Sequence, residues 1–271
     1  MDLNTITEIR RPSSADAITK WENGYAWLAG GTWLFSEPQV ATHTLIDLED
    51  LKWPSLTVSD QGLEIAATCK IIEIENFKGP EDWKATPLLS ECCHSFLSSF
   101  KIWNVATVGG NVIMSLPAGP MISLTASLEG VCTLWPRNGA PRQLPVVDFV
   151  TGNHQNALQP GELLRSIFIP ASVMRKKHAF RRFSLTHQGR SETLLIGTLC
   201  PATGEFVLTV TASTLRPMQY RFPAFPSDAK IRGALDGIPL DQYLNDTHGS
   251  PEHRRHLTYY FAEQIREELS A

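Results

Sequence analysis

The order of the predicted elements indicates an α+β protein, in which two small α/β units precede an antiparallel sheet with helices. Three observations support this fold class. Two apolar segments each lead into a Gly-Gly pair, a basic stretch at residues 171–178 marks a boundary, and short strands follow that boundary. At 271 residues, with 42% hydrophobic and 19% charged residues, the chain can form one large domain or two to three small ones.

The first unit is predicted to contain a short helix followed by strands. Pro12, Ser13 and Ser14 precede residues 15–21 in the way that hydroxyl caps precede a helix. Further along the chain, apolar strands are predicted at residues 26–29, 44–48 and 62–67, and the first of them ends at the first Gly-Gly pair.

A longer helix is predicted to begin at Thr86 and to run to residues 102–104. Thr86 is a suitable N-cap, and Pro87 follows it at the first helical position, which proline favours. Apolar residues at spacings of three and four give this helix a core-facing side: Leu89, Cys92, Cys93, Phe96, Leu97 and Phe100. We expect its two cysteines to pack as small hydrophobes. Another helix is predicted at residues 121–128, and strands at residues 131–135 and 144–149.

Beyond the boundary, a run of short strands is predicted, namely residues 180–185, 193–199 and 206–212. Ser250 caps a final helix whose apolar stripe consists of Leu257, Phe261, Ile265 and Leu269. His253 and His256 of this helix are expected on a solvated face beside Arg254, because a metal site would need further ligands.

Composition and motifs argue against several classes of function. A formal net charge of −4 provides no basic surplus for nucleic acid or an anionic membrane. No apolar run approaches the roughly 18 residues of a membrane span, and no signal peptide is recognised, so we expect a cytoplasmic protein. The five cysteines form no C-x-x-C, which argues against a disulfide framework, an iron–sulfur cluster or a zinc site. The common nucleotide-binding and nucleophile-elbow motifs are missing.

The two Gly-Gly pairs are the main indication of a binding site. They lie in residues 28–34 and 105–112, between apolar residues, and each is followed by a small polar residue. Paired glycines permit backbone conformations that a Cβ would forbid, and successive N–H groups in such a turn can form a concave nest for an anion. We therefore hypothesise that both turns face one phosphate-bearing ligand.

Six motifs in a fixed order make the chain similar to a known family. Residues 12–14 and 29–34 match a Pro-Ser helix and an Ala-Gly-Gly-Thr-x-Leu loop, and residues 104–111 match Asn-x-Ala-Thr-x-Gly-Gly-Asn. Residues 145–149 and 158–170 match two further motifs, and a C-terminal motif is matched by Asp246, Gly249, Ser250, Arg254 and Arg255. The chain resembles the FAD-binding medium subunit of the molybdenum hydroxylases, the xanthine dehydrogenase and carbon monoxide dehydrogenase group.

This resemblance implies a fold of the vanillyl-alcohol-oxidase (PCMH) type. It places FAD-binding subdomains at residues 1–56 and 57–172 and a C-terminal domain at residues 176–271, with FAD extended between the two subdomains. The family's main-chain N–H groups at residues 29–32 hold the diphosphate. The implied cofactor-binding residues are Trp27, Leu28, Ala29, Gly30, Gly31, Thr32, Trp33, Leu34, Leu97, Thr107, Val108, Gly109, Gly110, Asn111, Leu163, Leu164 and Arg182.

Several residues depart from the family pattern. Pro120 replaces an aspartate that bonds cofactor hydroxyls, and proline offers neither a side-chain acceptor nor an N–H. Trp33 stands where the family commonly has Asp, Asn or Glu, and Trp103 where it often has an arginine. Arg182 stands in for a family lysine near the flavin, where a cation would favour the anionic reduced form.

The resemblance implies an electron-transfer subunit with FAD as its cofactor. Electrons would come from a molybdopterin large subunit through the [2Fe-2S] clusters of an iron–sulfur small subunit and would leave to NAD or another acceptor. Two alternatives stay open: a flavin-poor scaffold subunit, which Pro120 and the tryptophans favour, and a stand-alone flavin oxidase, for which no catalytic base stands out. No catalytic residue and no metal ligand is assigned within this chain.

Overall fold

A small parallel sheet forms the first part of the molecule. The computed structural model describes residues 4–14, 17, 21–97 and 99–271. The sheet pairs its three strands in parallel with the third at its centre: β1 (Glu8–Arg10), β2 (Tyr25–Leu28) and β3 (Thr44–Asp47). The helix predicted at residues 15–21 falls largely outside the described residues and stays a prediction.

An antiparallel five-stranded sheet follows, and helices cover it. In spatial order its strands are β4 (Leu56–Ser59), β5 (Gly62–Ala66), β10 (Leu163–Pro170), β6 (Val131–Trp135) and β7 (Arg142–Pro145). A two-stranded hairpin consists of β8 (Val150–Gly152) and β9 (Gln155–Asn156). The helices are α1 (Ile71–Glu75), α2 (Thr86–Cys93), α3 (Phe100–Trp103), α4 (Val108–Met114), α5 (Pro120–Ser127), α6 (Val146–Phe149) and α7 (Ala171–Met174).

The long helix predicted from Thr86 is wrong in its extent. It ends at Cys93, and the chain resumes a helical turn only at α3. Serine side chains compete for backbone groups here, since the Ser95 hydroxyl donates to the carbonyl of Glu91 at 3.0 Å. As a result Leu97 and Phe100 are 62% and 67% exposed rather than in the core.

Cys92 and Cys93 are fully buried in α2, which confirms the prediction that they pack in the core. The strand predicted at residues 144–149 is wrong beyond Pro145, where α6 begins. Proline has no N–H to continue a strand ladder, and Pro145 instead serves as the residue before the helix.

The C-terminal part is an antiparallel sheet packed on two helices, in the predicted order. Its strands are β11 (Lys177–Phe183), β12 (Thr193–Leu199), β13 (Phe206–Thr211) and β14 (Met218–Phe222), and its helices are α8 (Asp228–Asp236) and α9 (Pro251–Ser270). The stripe of α9 packs into a second core cluster with Leu195 and Phe206.

His253 and His256 on α9 are exposed, as expected, but Arg254 beside them does not lie on the solvated face. It is fully buried, donates to the carbonyls of Glu192 and Ala212, and pairs with Asp246 at 2.6 Å. His253 bonds the buried carboxylate of Glu192 at 2.6 Å. These residues of the C-terminal motif therefore hold the end of the chain in place.

The three larger sheets lie one after another along the sequence. The first strand of the second sheet, β4, begins at Leu56, which is the last residue of the predicted first domain. The division into domains at residues 1–56, 57–172 and 176–271 stays a prediction. Among the residues that the structure describes, no helix is both long enough and apolar enough to cross a bilayer.

Candidate functional site

A cavity of about 440 Å³ lies where the first Gly-Gly segment meets helix α4. Its wall includes the end of β2, the loop that follows it, the start of α4 and part of β10. The residues named from the sequence that line it are Trp27, Leu28, Ala29, Gly30, Gly31, Thr32, Trp33, Leu34, Leu97, Thr107, Gly109, Gly110, Asn111, Leu163 and Leu164. Two Gly-Gly segments that are far apart in sequence thus line one cavity.

Gly30 brings the first segment against the chain that leads into α4. A Cβ on Gly30 would lie 2.8 Å from the carbonyl carbon of Val105 and closer still to its oxygen. Since this obstacle is backbone, it cannot move aside as a flexible side chain would. Only glycine therefore permits this approach of the two segments.

The N–H groups of the first segment are available to a ligand. Those of Gly30, Gly31 and Thr32 donate to no acceptor among the residues that the structure describes. Gly31 has a φ of +68°, a conformation that favours glycine. Because buried N–H groups are nearly always bonded, unused donors in a cavity wall are the kind of group that a phosphate oxygen satisfies.

The second segment is the first turn of α4 and not a second nest. The N–H groups of Val108 and Gly109 donate to the carbonyls of Cys69 and Ala67 at 2.8 and 2.9 Å. The N–H of Gly110 donates to the Thr107 hydroxyl, which caps the helix, at 3.1 Å. What this segment can offer a ligand is the O–H of Thr107 and the side-chain N–H₂ of Asn111, whose oxygen already accepts from Met121 N–H at 3.0 Å.

An ion pair between the buried carboxylate of Glu162 and the partly exposed Arg142 supports the wall of the cavity beside β2. The indole N–H of Trp27 donates to the carbonyl of Glu162 at 3.1 Å. The buried carboxylate of Glu162 accepts from Arg142 at 2.7 and 2.6 Å and from the N–H of Gln159 at 3.0 Å. The hydrogen bond from Arg142 lowers the pKa of Glu162, although burial acts in the opposite direction.

Two residues named from the sequence do not line the cavity. Val108 is fully buried in the core, because the cap at Thr107 fixes the start of α4 and turns Val108 inward. Arg182, in β11, donates to the hydroxyl of Ser191 and to the carbonyls of His187 and Gly189. Its guanidinium therefore braces its own loop, and burial lowers the pKa of Arg182.

Residues 6–172 match the sequence profile of the FAD binding domain in molybdopterin dehydrogenase. That match extends over more than half of the chain. The chain belongs to this family of FAD-binding domains. FAD is the family's cofactor, and its proteins are oxidoreductases.

Curated relatives agree with this family but are much longer proteins. Xanthine dehydrogenase of Oryza sativa subsp. japonica is 24% identical over 148 residues, which is 52% of this chain and 11% of that protein. Xanthine dehydrogenase 1 of Arabidopsis thaliana is 25% identical over 122 residues, 43% of this chain and 9% of that protein. The chain thus spans no more than 11% of the length of these relatives.

Solved structures confirm the predicted fold class. Quinoline 2-oxidoreductase from Pseudomonas putida 86 superposes with a TM-score of 0.79 at 17% identity, covering 99% of this chain and 98% of that one. Carbon monoxide dehydrogenase from Hydrogenophaga pseudoflava gives 0.81 at 16% identity, covering 96% of each. At these identities the likeness concerns the fold.

The donor groups of the cavity fit the family's cofactor. Unused N–H groups at residues 30–32 suit a diphosphate, and the remaining wall is apolar enough to hold a flavin ring. Among the described residues of this wall there is no Asp, Glu, His, Lys or Arg. An anion would therefore be held by backbone dipoles, in agreement with the net charge.

The departures from the family pattern lie at and near this cavity. Trp33 lines it, is 39% exposed and contacts His154, with ring centroids 5.4 Å apart. Pro120 is buried at the start of α5, and Trp103 packs on the core with its ring against His94. None of these three residues introduces a charged side chain into the cavity.

Several lining residues were missed from the sequence: Leu48, Ala67, Phe96, Ile102, Ala106, Ile113, Met114, Leu116 and Leu158. Ile113 and Met114 lie one helical turn after Gly110. Had residues 108–114 been predicted as a helix, its periodicity would have indicated both. The others lie on segments whose position only the tertiary structure sets.

Proposed function

We propose that this chain is the FAD-carrying electron-transfer subunit of a molybdenum-containing hydroxylase or dehydrogenase. The observation that carries the proposal is the single cavity lined by both Gly-Gly segments in a chain of the FAD-binding family. When bound, FAD would take electrons from the [2Fe-2S] clusters of a partner chain and pass them to NAD or another acceptor.

The roles of this chain's residues in the proposal are to hold and shield the cofactor. The N–H groups of Gly30, Gly31 and Thr32 bind the diphosphate, and the side chains of Thr107 and Asn111 add hydrogen bonds. Apolar side chains from α4 and β10 exclude water. Since the described wall carries no acid or base, the chain itself supplies no proton transfer at this cavity.

An exposed apolar surface beside the cavity supports the proposal of partner chains. Leu97, Phe100, Ile102 and Val105 are all exposed large hydrophobic residues, and two of them also line the cavity. Such a patch is typical of a protein interface. In the proposal, an iron–sulfur small subunit and a molybdopterin large subunit form the complex with this chain.

A flavin-poor scaffold is the second candidate, and two observations favour it. The N–H groups at the start of α4 are already bonded within the protein, and Pro120 lacks the acceptor that the family has there. A stand-alone oxidase has no such support, because no acid or base lines the described cavity wall.

Absorbance of the purified full chain tests the proposal against the scaffold. The proposal expects the visible band of oxidised flavin, or its recovery when FAD is added. Stoichiometric FAD that a reduced [2Fe-2S] protein then bleaches under anaerobic conditions supports the electron-transfer role. A colourless protein that FAD cannot restore would establish the scaffold instead.

A further inference from the structure

Three aromatic side chains form a continuous row that begins in the wall of the cavity. Trp27 lines the cavity, and its ring packs on that of Trp21 with centroids 4.8 Å apart and planes at 31°. Trp21 in turn meets the ring of Tyr25 edge to face, with centroids 5.9 Å apart. Tyr25 is partly exposed. The row therefore connects the cavity with solvent through two ring contacts.

Strand β2 fixes this arrangement. Residues two apart on a strand point to the same face, so Tyr25 and Trp27 lie side by side, and Trp21 packs on both. The indole N–H of Trp27 donates to the main-chain carbonyl of Glu162 at 3.1 Å, which holds the ring in the wall. The three rings are thus in contact before any ligand binds.

The surroundings of Trp27 favour onward transfer of an electron. Tryptophan and tyrosine can each give up one electron far more readily than phenylalanine. An oxidised indole is acidic, but the carbonyl that accepts from Trp27 is too weak a base to take its proton. The Glu162 carboxylate is occupied by Arg142 and by the N–H of Gln159. Oxidised Trp27 would therefore keep its positive charge and draw an electron from Trp21.

Tyr25 is suited to be the last donor of the row. The guanidinium of Arg10 lies 5.0 Å from the centre of its ring, and the ring of His43 meets it edge to face at 5.8 Å. A cation over the ring disfavours a second positive charge there, so Tyr25 loses its electron together with its phenolic proton. Because Tyr25 is partly exposed, water can take that proton.

We propose that Trp27, Trp21 and Tyr25 form a light-driven electron relay to the flavin, an inference that rests on the proposed function. Blue light makes oxidised flavin a strong one-electron oxidant, and this chemistry belongs to the cofactor. Trp27 gives one electron to the excited ring, Trp21 replaces the electron of Trp27, and Tyr25 replaces that of Trp21 while its proton passes to water. The electron and a proton later return to Tyr25, so the cycle consumes light and no reductant.

Trp33 also lines the cavity, but it begins no such row. Its ring contacts that of His154 and no other aromatic ring in the part of the chain that the structure describes. An electron taken from Trp33 therefore has no second tryptophan or tyrosine to replace it. A tyrosyl radical is the product that distinguishes the relay from simple quenching of the flavin by a tryptophan of the wall.

Flash photolysis of the full chain with FAD bound tests the relay without any turnover. We expect a tyrosyl radical, recognised by its absorption spectrum, with its yield expressed per bound FAD. Trp27→Phe should abolish this radical, Trp21→Phe should lower its yield, and Tyr25→Phe should leave an indole radical in its place. Trp53→Phe is the matched control and should keep the full yield, since Trp53 lies outside the cavity wall and packs on Trp135.

The outcomes separate this inference from the proposed function. Bound FAD without a tyrosyl radical, or a full yield of that radical in any of the three relay variants, would overturn the relay and leave FAD binding intact. Trp21 and Tyr25 lie outside the cavity wall, so their variants decide the matter even if Trp27→Phe binds no FAD. If the wild-type chain binds no FAD in equilibrium dialysis, the proposed function fails, and the relay that rests on it fails as well.

Discussion

The two Gly-Gly segments share a sequence pattern but use their glycines differently. In the first, Gly30 permits close approach to the Val105 backbone, and the N–H groups of residues 30–32 are unused. In the second, Gly109 lets α4 pack on Ala67, where a Cβ would lie 2.5 Å from the alanine Cβ, and the N–H groups are bonded within the protein. One segment offers donors, and the other mainly permits packing.

This difference shows that paired glycines alone do not define an anion site. What decides the role is whether a helix begins at the pair. At Thr107 the hydroxyl caps α4 and the first N–H groups are satisfied. At Gly31 the backbone adopts φ +68° and no regular element follows in the loop before Phe35. The cavity thus combines one donor segment with one packing segment.

The largest expected effect comes from Gly30→Ala. The new Cβ would collide with the backbone of Val105, so the two segments must separate. We expect FAD affinity to fall more than about 100-fold and the free energy of unfolding to fall by about 1–3 kcal/mol. FAD titration and chemical denaturation measure the two effects.

Gly233→Ala is the control for this variant. Gly233 lies within α8, and a Cβ there has open space. Alanine in a helix should raise stability by about 0.5–1 kcal/mol and leave FAD affinity unchanged. If Gly30→Ala also kept its affinity, the contact between the segments would not matter for binding.

Gly110→Val tests the packing segment at the point where it meets the cavity. A Cβ on Gly110 would lie 2.9 Å from the Thr107 hydroxyl, so this cap must shift to make room while the branched side chain enters the cavity. We expect FAD affinity to fall about 10- to 100-fold, measured by flavin absorbance after purification. Cys92→Ala, in the core of α2, should leave the flavin content unchanged; a full complement in the valine variant would argue that the cofactor lies elsewhere.

How much of this arrangement the sequence could reveal depends on the range of the interaction. Gly30, Gly31 and Gly110 could be placed at a site because glycine pairs indicate a local backbone conformation or a close approach that a Cβ would forbid. Strands such as β12 follow from apolar residues bounded by turns. The exposure of Leu97 and Phe100, the inward turn of Val108 and the loop contacts of Arg182 depend on capping and tertiary packing. No pattern of neighbouring residues contains that information.

The surroundings of Trp27 show the same limit. Trp27 was named through its position before the Gly-Gly pair, but the packing of its ring on Trp21, with centroids 4.8 Å apart, was not predicted. The role of Glu162 in supporting Trp27 was likewise hidden, because the bond runs from a side chain to a distant carbonyl.

Acidification should affect the donor segment through Glu162. The lowered pKa means that the ionised carboxylate stabilises the fold fully above its ordinary value of 4.5, and that this contribution is lost as pH falls below it. Because Arg142 is partly exposed, we expect the ionised carboxylate to contribute only about 1 kcal/mol to the free energy of unfolding. Denaturation and FAD titration at pH 6 and pH 4 measure it. The Glu162→Gln variant should have a lower free energy of unfolding than the wild-type chain at pH 6, and this energy should change less between pH 6 and pH 4. If it changed as much as in the wild-type chain, Glu162 would be excluded as the titrating group.

Thr107 gives an equally small expected effect and the sharpest contrast between the segments. Thr107→Ala removes the cap of α4 and should lower the free energy of unfolding by about 1 kcal/mol, while Thr107→Ser should restore it. Since a hydroxyl does not titrate here, the loss should be equal at pH 6 and pH 4, unlike that of Glu162→Gln. FAD affinity should fall less than about tenfold, as one hydrogen bond is lost. If FAD affinity rose instead, the N–H of Gly110 that Thr107 no longer accepts would be binding phosphate. The second segment would then also be a donor segment, whose N–H group the Thr107 cap normally occupies.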